Sequence, residues 1–201
     1  MEISSARVKE LRDKTGAGMM DCKEALMVSD GDFEKAIDHL RQKGMSAATK
    51  RSSKTTKEGM VTSYIHMGGK IGVMVELNCE TDFVAKTEKF QTLAKDIAMH
   101  IAATNPLFLS SSEIPEATRE RERAIYSEQA KAENKPEKIW EKIIEGKFKK
   151  YYEEVCLLEQ KFVKNPDITI SQLITEMIGS TGENIVLRRF ARFQLGELST
   201  D

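Results

Sequence analysis

Asn78-Cys79-Glu80-Thr81-Asp82-Phe83-Val84-Ala85-Lys86 is the stretch on which the reading of this chain turns. Ahead of it, Lys70-Ile71-Gly72-Val73-Met74-Val75-Glu76-Leu77 is apolar and β-branched and follows Gly68-Gly69. That pattern predicts a strand. Beyond it, Phe83, Phe90, Leu93, Ala94, Ile97 and Ile101 recur at helical spacing and predict one long amphipathic helix, stopping before Asn105-Pro106. Thr81 and Asp82 mark the junction, and Asp is a favoured N-cap. Phe83 then stands in the first helical turn. Its ring either staples the helix to the core, the usual fate of an aromatic residue there, or projects outward as a wedge.

Working back toward the amino terminus, Met60, Val61, Tyr64 and Ile65 predict a strand that pairs with the first one across Met67-Gly68-Gly69-Lys70. The stretch Ala47-Ala48-Thr49-Lys50-Arg51-Ser52-Ser53-Lys54-Thr55-Thr56-Lys57 is basic and hydroxyl-rich, and residues 47–58 read as a linker. Residues 1–46 carry three short helical patterns. Ser4 or Ser5 caps a helix bearing Val8 and Leu11 that ends near Thr15-Gly16. Met19, Cys22 and Leu26 mark a second, and Phe33, Ala36, Ile37 and Leu40 a third, closed by Gly44. Met19 and Met20 are adjacent, so both cannot face one small core, and an exposed methionine suits an adaptable apolar contact. Gly16-Ala17-Gly18 lacks the spacing of a phosphate loop and follows no strand.

Toward the carboxyl terminus, Glu113 to Ala132 is dense in charge, and Lys138 to Ile144 begins a second helix, interrupted near Gly146 and resuming through Phe148. Joined around Glu133-Asn134-Lys135-Pro136, they predict a helical hairpin over about 113–161. Thr169-Ile170-Ser171-Gln172 reads as a capping box before Leu173, Ile174, Met177 and Ile178, in a helix ended by Gly179 and Gly182. Residues 184–197 read as a last strand. The whole predicts an α+β fold: a three-helix module, then a three-stranded antiparallel sheet packed by helices in a core over 59–201.

Composition limits the function. The 201 residues carry 31 Lys+Arg against 32 Asp+Glu, so no basic excess points to a general nucleic-acid binder. No apolar run is long enough to span a bilayer, and Met1-Glu2-Ile3-Ser4-Ser5 lacks a signal-peptide pattern, so a cytoplasmic protein is expected. Cys22, Cys79 and Cys156 are far apart and odd in number, which indicates neither a disulfide framework nor a zinc site. His39, His66 and His100 are not at metal-ligand spacing. No nucleophile, metal cluster or phosphate loop can be assembled, so no enzyme active site and no cofactor are expected.

Thr81-Asp82-Phe83-Val84-Ala85-Lys86 resembles the signature of the elongation factor Ts family, the guanine nucleotide exchange factors of elongation factor Tu. The stretch Val8-Lys9-Glu10-Leu11-Arg12 to Thr15-Gly16-Ala17-Gly18-Met19-Met20-Asp21-Cys22-Lys23 resembles that family's amino-terminal motif, and the other segments follow in the family's order. The resemblance implies a ubiquitin-associated-like amino-terminal module, with Arg12, Met19, Met20 and Lys23 at or near its contact with elongation factor Tu. It implies that Ile71 and Gly72 lie on a partner-facing edge, that Phe83 inserts into the GTPase with Asp82 holding it, and that residues Thr81, Asp82, Phe83 and Val84 disturb the bound Mg²⁺ and phosphates. Ala98-Met99-His100-Ile101-Ala102 is similar to a segment whose histidine contacts the partner. Phe162-Val163-Lys164-Asn165-Pro166 is similar to another contact segment, from which Val163 carries over and Lys164 departs. The charge-dense hairpin resembles the family's coiled-coil protrusion. The chain is similar to the short form, in which two copies can jointly supply a missing half, so a homodimer is a further expectation. A reading of another class is a ubiquitin-associated-like adaptor with an RNA-binding α+β domain, using Lys50, Arg51, Lys54, Lys57, Arg188, Arg189 and Arg192. Salt-dependent RNA binding would distinguish it.

Overall fold

A computed structural model describes residues 3–133 and 136–197. Met1 and Glu2, and Asn134 and Lys135 of the expected hairpin turn, lie outside the described residues. In chain order the main elements are α1 (Ser5–Thr15), α2 (Met19–Val28), α3 (Phe33–Arg51), β1 (Glu58–Ile65), β2 (Ile71–Cys79), α4 (Asp82–Ala85), α5 (Glu88–Thr104), α6 (Glu116–Ala132), α7 (Trp140–Val155), β3 (Lys161–Phe162), β4 (Asn165–Thr169), α8 (Ile170–Thr181) and β5 (Ile185–Gln194). The fold is α+β, with an antiparallel sheet in the order β1-β2-β5. Along β2, Val73, Val75, Leu77 and Cys79 are buried while Met74 is exposed, so one sheet face meets the core. Among the described residues no helix is long and apolar enough to cross a membrane.

The chain divides into two compact units. One takes Met1–Thr62, Val75–Ala94 and Gln172–Arg188. In it, α1, α2 and α3 enclose Val8, Leu11, Cys22, Ala25, Leu26 and Ala36, with Phe33, Ile37 and Leu40 packed against them. The Ser4 side chain caps α1 by accepting from the Arg7 amide, and Gly16 ends it in a left-handed conformation. Asp32 caps α3 by accepting from Lys35 N. Ala25, not Met19, completes the buried stripe of α2.

The third helix is longer than its sequence pattern predicts. Gly44 does not close it but lies buried within it, and residues 47–51, read as linker, are its last turn. A Cβ built on Gly179 would lie 3.2 Å from the Gly44 Cα, so α3 and α8 approach almost backbone to backbone here. Gly179 is likewise interior to α8, and Gly182 alone follows the helix end. Gly179 serves the close approach of the two helices, and a glycine interior to a helix mimics a stop signal in a single sequence.

The second unit takes Ser63–Met74, Lys95–Ser171 and Arg189–Asp201. Its hairpin pairs α6 with α7. Tyr126 meets Phe148 edge-on at 5.3 Å, and Arg123 Nη1 lies 3.2 Å from Glu141 Oε2. The second helix of the hairpin runs through Gly146 without the expected interruption, because Ile144 and Phe148 on either side are buried. At its base Ile114, Val155 and Cys156 form a small core with Phe108, Tyr151 and Tyr152. A two-stranded antiparallel sheet, β3 with β4, was not foreseen. The last strand is shorter than expected, Ile185–Gln194.

Candidate partner-binding site

The turn after β2 is built by two threonines. Thr81, not Asp82, is the N-cap of α4: its backbone is extended and its hydroxyl accepts from Val84 N at 3.4 Å. Six residues on, Thr87 ends that helix and starts the next. Its hydroxyl donates to Val84 O at 2.8 Å and accepts from Phe90 N at 3.3 Å. The expected single helix from Phe83 is therefore two, a one-turn α4 and then α5. Thr87 was the available signal, since a hydroxyl side chain at an N-cap position offers the next amides an acceptor.

A one-turn helix has little stability of its own. Long-range bonds hold this one. The Thr81 amide donates to Glu183 Oε2 at 3.0 Å and the Thr81 hydroxyl donates to Glu183 Oε1 at 2.6 Å. In return Glu80 Oε1 accepts from the Asn184 amide at 2.7 Å, and Arg51 lies 3.2 Å from Glu80 Oε2. Asn184 Nδ2 donates to Lys54 O at 2.9 Å. The Cys79 thiol donates to Thr81 O at 3.1 Å. Sequence reasoning missed Glu183, Glu80 and Asn184 as a group, because they lie about a hundred residues apart and nothing local marks their pairing.

On this anchored turn Phe83 is 79% exposed. The staple reading is excluded: the ring projects outward. Beside it the Asp82 carboxylate lies 2.6 Å from Lys86 Nζ, across one helical turn, and the ammonium holds that carboxyl below its usual range. Val84 is partly buried.

The amino-terminal residues Arg12, Met19, Met20 and Lys23 are all exposed, Met20 at 75%. Met19, Met20 and Lys23 share one face of α2, and Met27, exposed as well, extends it by about one turn. The sequence reading missed Met27, although its spacing of seven from Met20 marks it.

Ile71, Gly72, His100 and Val163 belong to the second unit. Ile71 and Gly72 open β2, both partly buried. His100 is fully buried on α5. Its Nδ1 accepts from the Val163 amide at 3.3 Å and its Nε2–H faces Gln160 Oε1 at 3.0 Å. Gln160 Nε2 donates to Glu154 O, which fixes the amide so that its oxygen points at the ring. Burial lowers the His100 pKa from its ordinary value, so the ring is neutral with its proton on Nε2. Val163 itself sits 42% exposed in the turn between β3 and β4, where Lys164 pairs with Asp96 at 2.7 Å.

A sequence model of the family described as elongation factor TS matches residues 6–197. The chain is 73% identical over 197 residues to elongation factor Ts of Syntrophus aciditrophicus, covering 98% of each. It is 58% identical to that of Desulfosudis oleivorans, over 97% of this chain and 98% of the relative.

The chain belongs to the elongation factor Ts family.

It is also 55% identical to the elongation factor Ts of Heliobacterium modesticaldum, over 97% of this chain and 91% of that one. Membership of this family spans both units and every candidate residue named above, all of which lie between 6 and 197.

Proposed function

We propose that the protein binds elongation factor Tu carrying GDP, speeds GDP release and stabilises the nucleotide-free form until GTP binds. The observation that carries this reading is Phe83, an aromatic ring held 79% exposed on an anchored turn in a family of elongation factors. A large apolar side chain gains free energy by leaving water, so a ring held outward on an anchored turn would strengthen a contact that buries it.

The work is done by differential binding. A protein that binds the empty GTPase more tightly than the loaded one weakens nucleotide binding by the same factor. In this reading Phe83 wedges into the GTPase, with Asp82 beside it, and residues 81–84 displace the groups that hold Mg²⁺ and the phosphates. Those contacts supply much of a nucleotide's binding, so moving them speeds release. Arg12, Met19, Met20 and Lys23 form a second contact; Ile71 and Gly72 form a third, and Val163 a fourth. With its ring buried, His100 serves that surface by fixing the Val163 main chain. The chain makes and breaks no covalent bond in this scheme and needs no cofactor. It acts in the cytoplasm, where translation proceeds. A second copy of the chain is a further partner in this reading, and sedimentation showing only monomer at cellular concentration would remove it.

The RNA-binding alternative loses part of its basic surface, since Arg51 is paired with Glu80 and Arg192 with Glu197 at 3.1 Å. The test of the exchange reading is release of a fluorescent GDP analogue from elongation factor Tu. Acceleration by catalytic amounts of this protein is expected; no acceleration with the cognate partner would refute it.

A further inference from the structure

Phe83 has almost no packing of its own, yet a wedge works only if its direction is fixed before contact. The turn that carries it makes one helical turn, too short to be rigid alone. Its orientation must come from outside the segment. Two neighbouring turns exchange carboxylates here: Glu183 takes both donors of Thr81, and Glu80 takes the amide of Asn184. Each carboxylate fixes the main chain of the other turn. Arg51 from the end of α3 neutralises Glu80, and the Asn184 side chain ties in Lys54 O.

Of these, Glu183 grips the residue closest in the chain to the wedge. Its two bonds fall on the amide and hydroxyl of the residue that caps α4, two positions from Phe83. Bonds to a charged acceptor are about twice as strong as neutral ones, and a carboxylate gripping two donors of one residue also fixes an angle. We propose that Glu183 is a positioning residue for nucleotide exchange, holding the turn of Thr81 so that Phe83 is presented ready to insert. This rests on the exchange reading above. Glu183 touches neither nucleotide nor partner in this scheme; it acts through Phe83.

The test measures GDP release from elongation factor Tu against concentration for wild type, Glu183→Gln, Glu183→Ala, Phe83→Ala and the Glu183→Ala/Phe83→Ala double variant. Glu183→Ala is expected to lower the maximal acceleration by roughly tenfold, the scale of one lost charge-assisted bond, with little change in the half-saturating concentration. Glu183→Gln is expected to fall between it and wild type, because the amide oxygen still accepts one bond. In the double variant the Glu183 change is expected to add less than about twofold to the Phe83→Ala loss, since residues that act through one another are not additive. A role in stability alone would instead multiply the two losses and shift half-saturation together with melting temperature.

A folded Glu183→Ala protein with wild-type exchange, or losses that multiply in the double variant, would overturn the proposal. If Glu183→Ala does not fold, Glu183→Gln probes the same bonds and leaves the Thr81 cap on Val84 N in place. A folded Glu183→Gln protein with reduced maximal acceleration supports the proposal, and one with wild-type exchange overturns it. Normal exchange by Phe83→Ala would overturn the wedge reading and this inference with it. Loss in Phe83→Ala with an active Glu183→Ala would overturn this inference alone.

Discussion

The backbone amide of Val163 donates to Nδ1 of His100 at 3.3 Å, and the same ring gives its Nε2 proton to Gln160. Both nitrogens are committed, so protonating Nδ1 would break the Val163 bond and charge a fully buried ring. Burial therefore holds the folded-state pKa below the ordinary 6.5. The sign follows from the neutral form being favoured in the fold. Stability from this group is fully present above pH about 6.5 and is lost as pH falls from there through the folded pKa. Melting temperature should drop between pH 7 and pH 5. In His100→Gln that drop should flatten, on a protein about 1–3 kcal/mol less stable at pH 7.5. Parallel curves for the two proteins would contradict this assignment of His100.

Gly44 and Gly179 make an asymmetric pair. A Cβ on Gly179 meets backbone of α3 at 3.2 Å, whereas one on Gly44 meets its nearest atom, Thr175 O, at an ordinary 3.6 Å. Gly179→Ala should destabilise by about 1–3 kcal/mol through overpacking. Gly44→Ala should be neutral or stabilise by up to about 1 kcal/mol, the helix propensity of alanine over glycine. Urea unfolding of the two variants reads the difference, and equal costs would contradict the geometry.

Cys22, Cys79 and Cys156 are free and buried, and burial pushes the Cys79 and Cys156 thiols up to about 11 and raises Cys22 as well. The thiolate is the reactive form, so at pH 8 the native protein should resist iodoacetamide while the denatured protein takes up three equivalents. Rapid labelling of the native protein would show that one of these sites opens.

The regular parts of the fold were legible because burial imposes a period. Val73, Val75 and Leu77 alternate on β2, and Phe90, Leu93, Ala94, Ile97 and Ile101 line one face of α5, all buried as their spacing requires. What was not legible depends on a second segment. Gly44 and Gly179 read as stops because a sequence does not reveal that two helices cross there. Phe83 read as a staple or a wedge until its surroundings were known. The Thr81–Glu183 bonds span 102 residues and leave no local trace. The strands β3 and β4, of two and five residues, are too short to show a period. Thr87 is different: its capping chemistry was in view, and the helical spacing of Phe83 with Phe90 masked it.

The most direct test is Phe83→Ala, with unfolding and GDP release from elongation factor Tu measured on the same preparation. Because the ring is 79% exposed, stability should change by less than about 0.5 kcal/mol. Burying a phenylalanine in an interface is worth about 1.5–3 kcal/mol, so exchange should fall roughly ten- to a hundredfold. A variant that folds as the wild type does and still speeds GDP release equally would contradict the account.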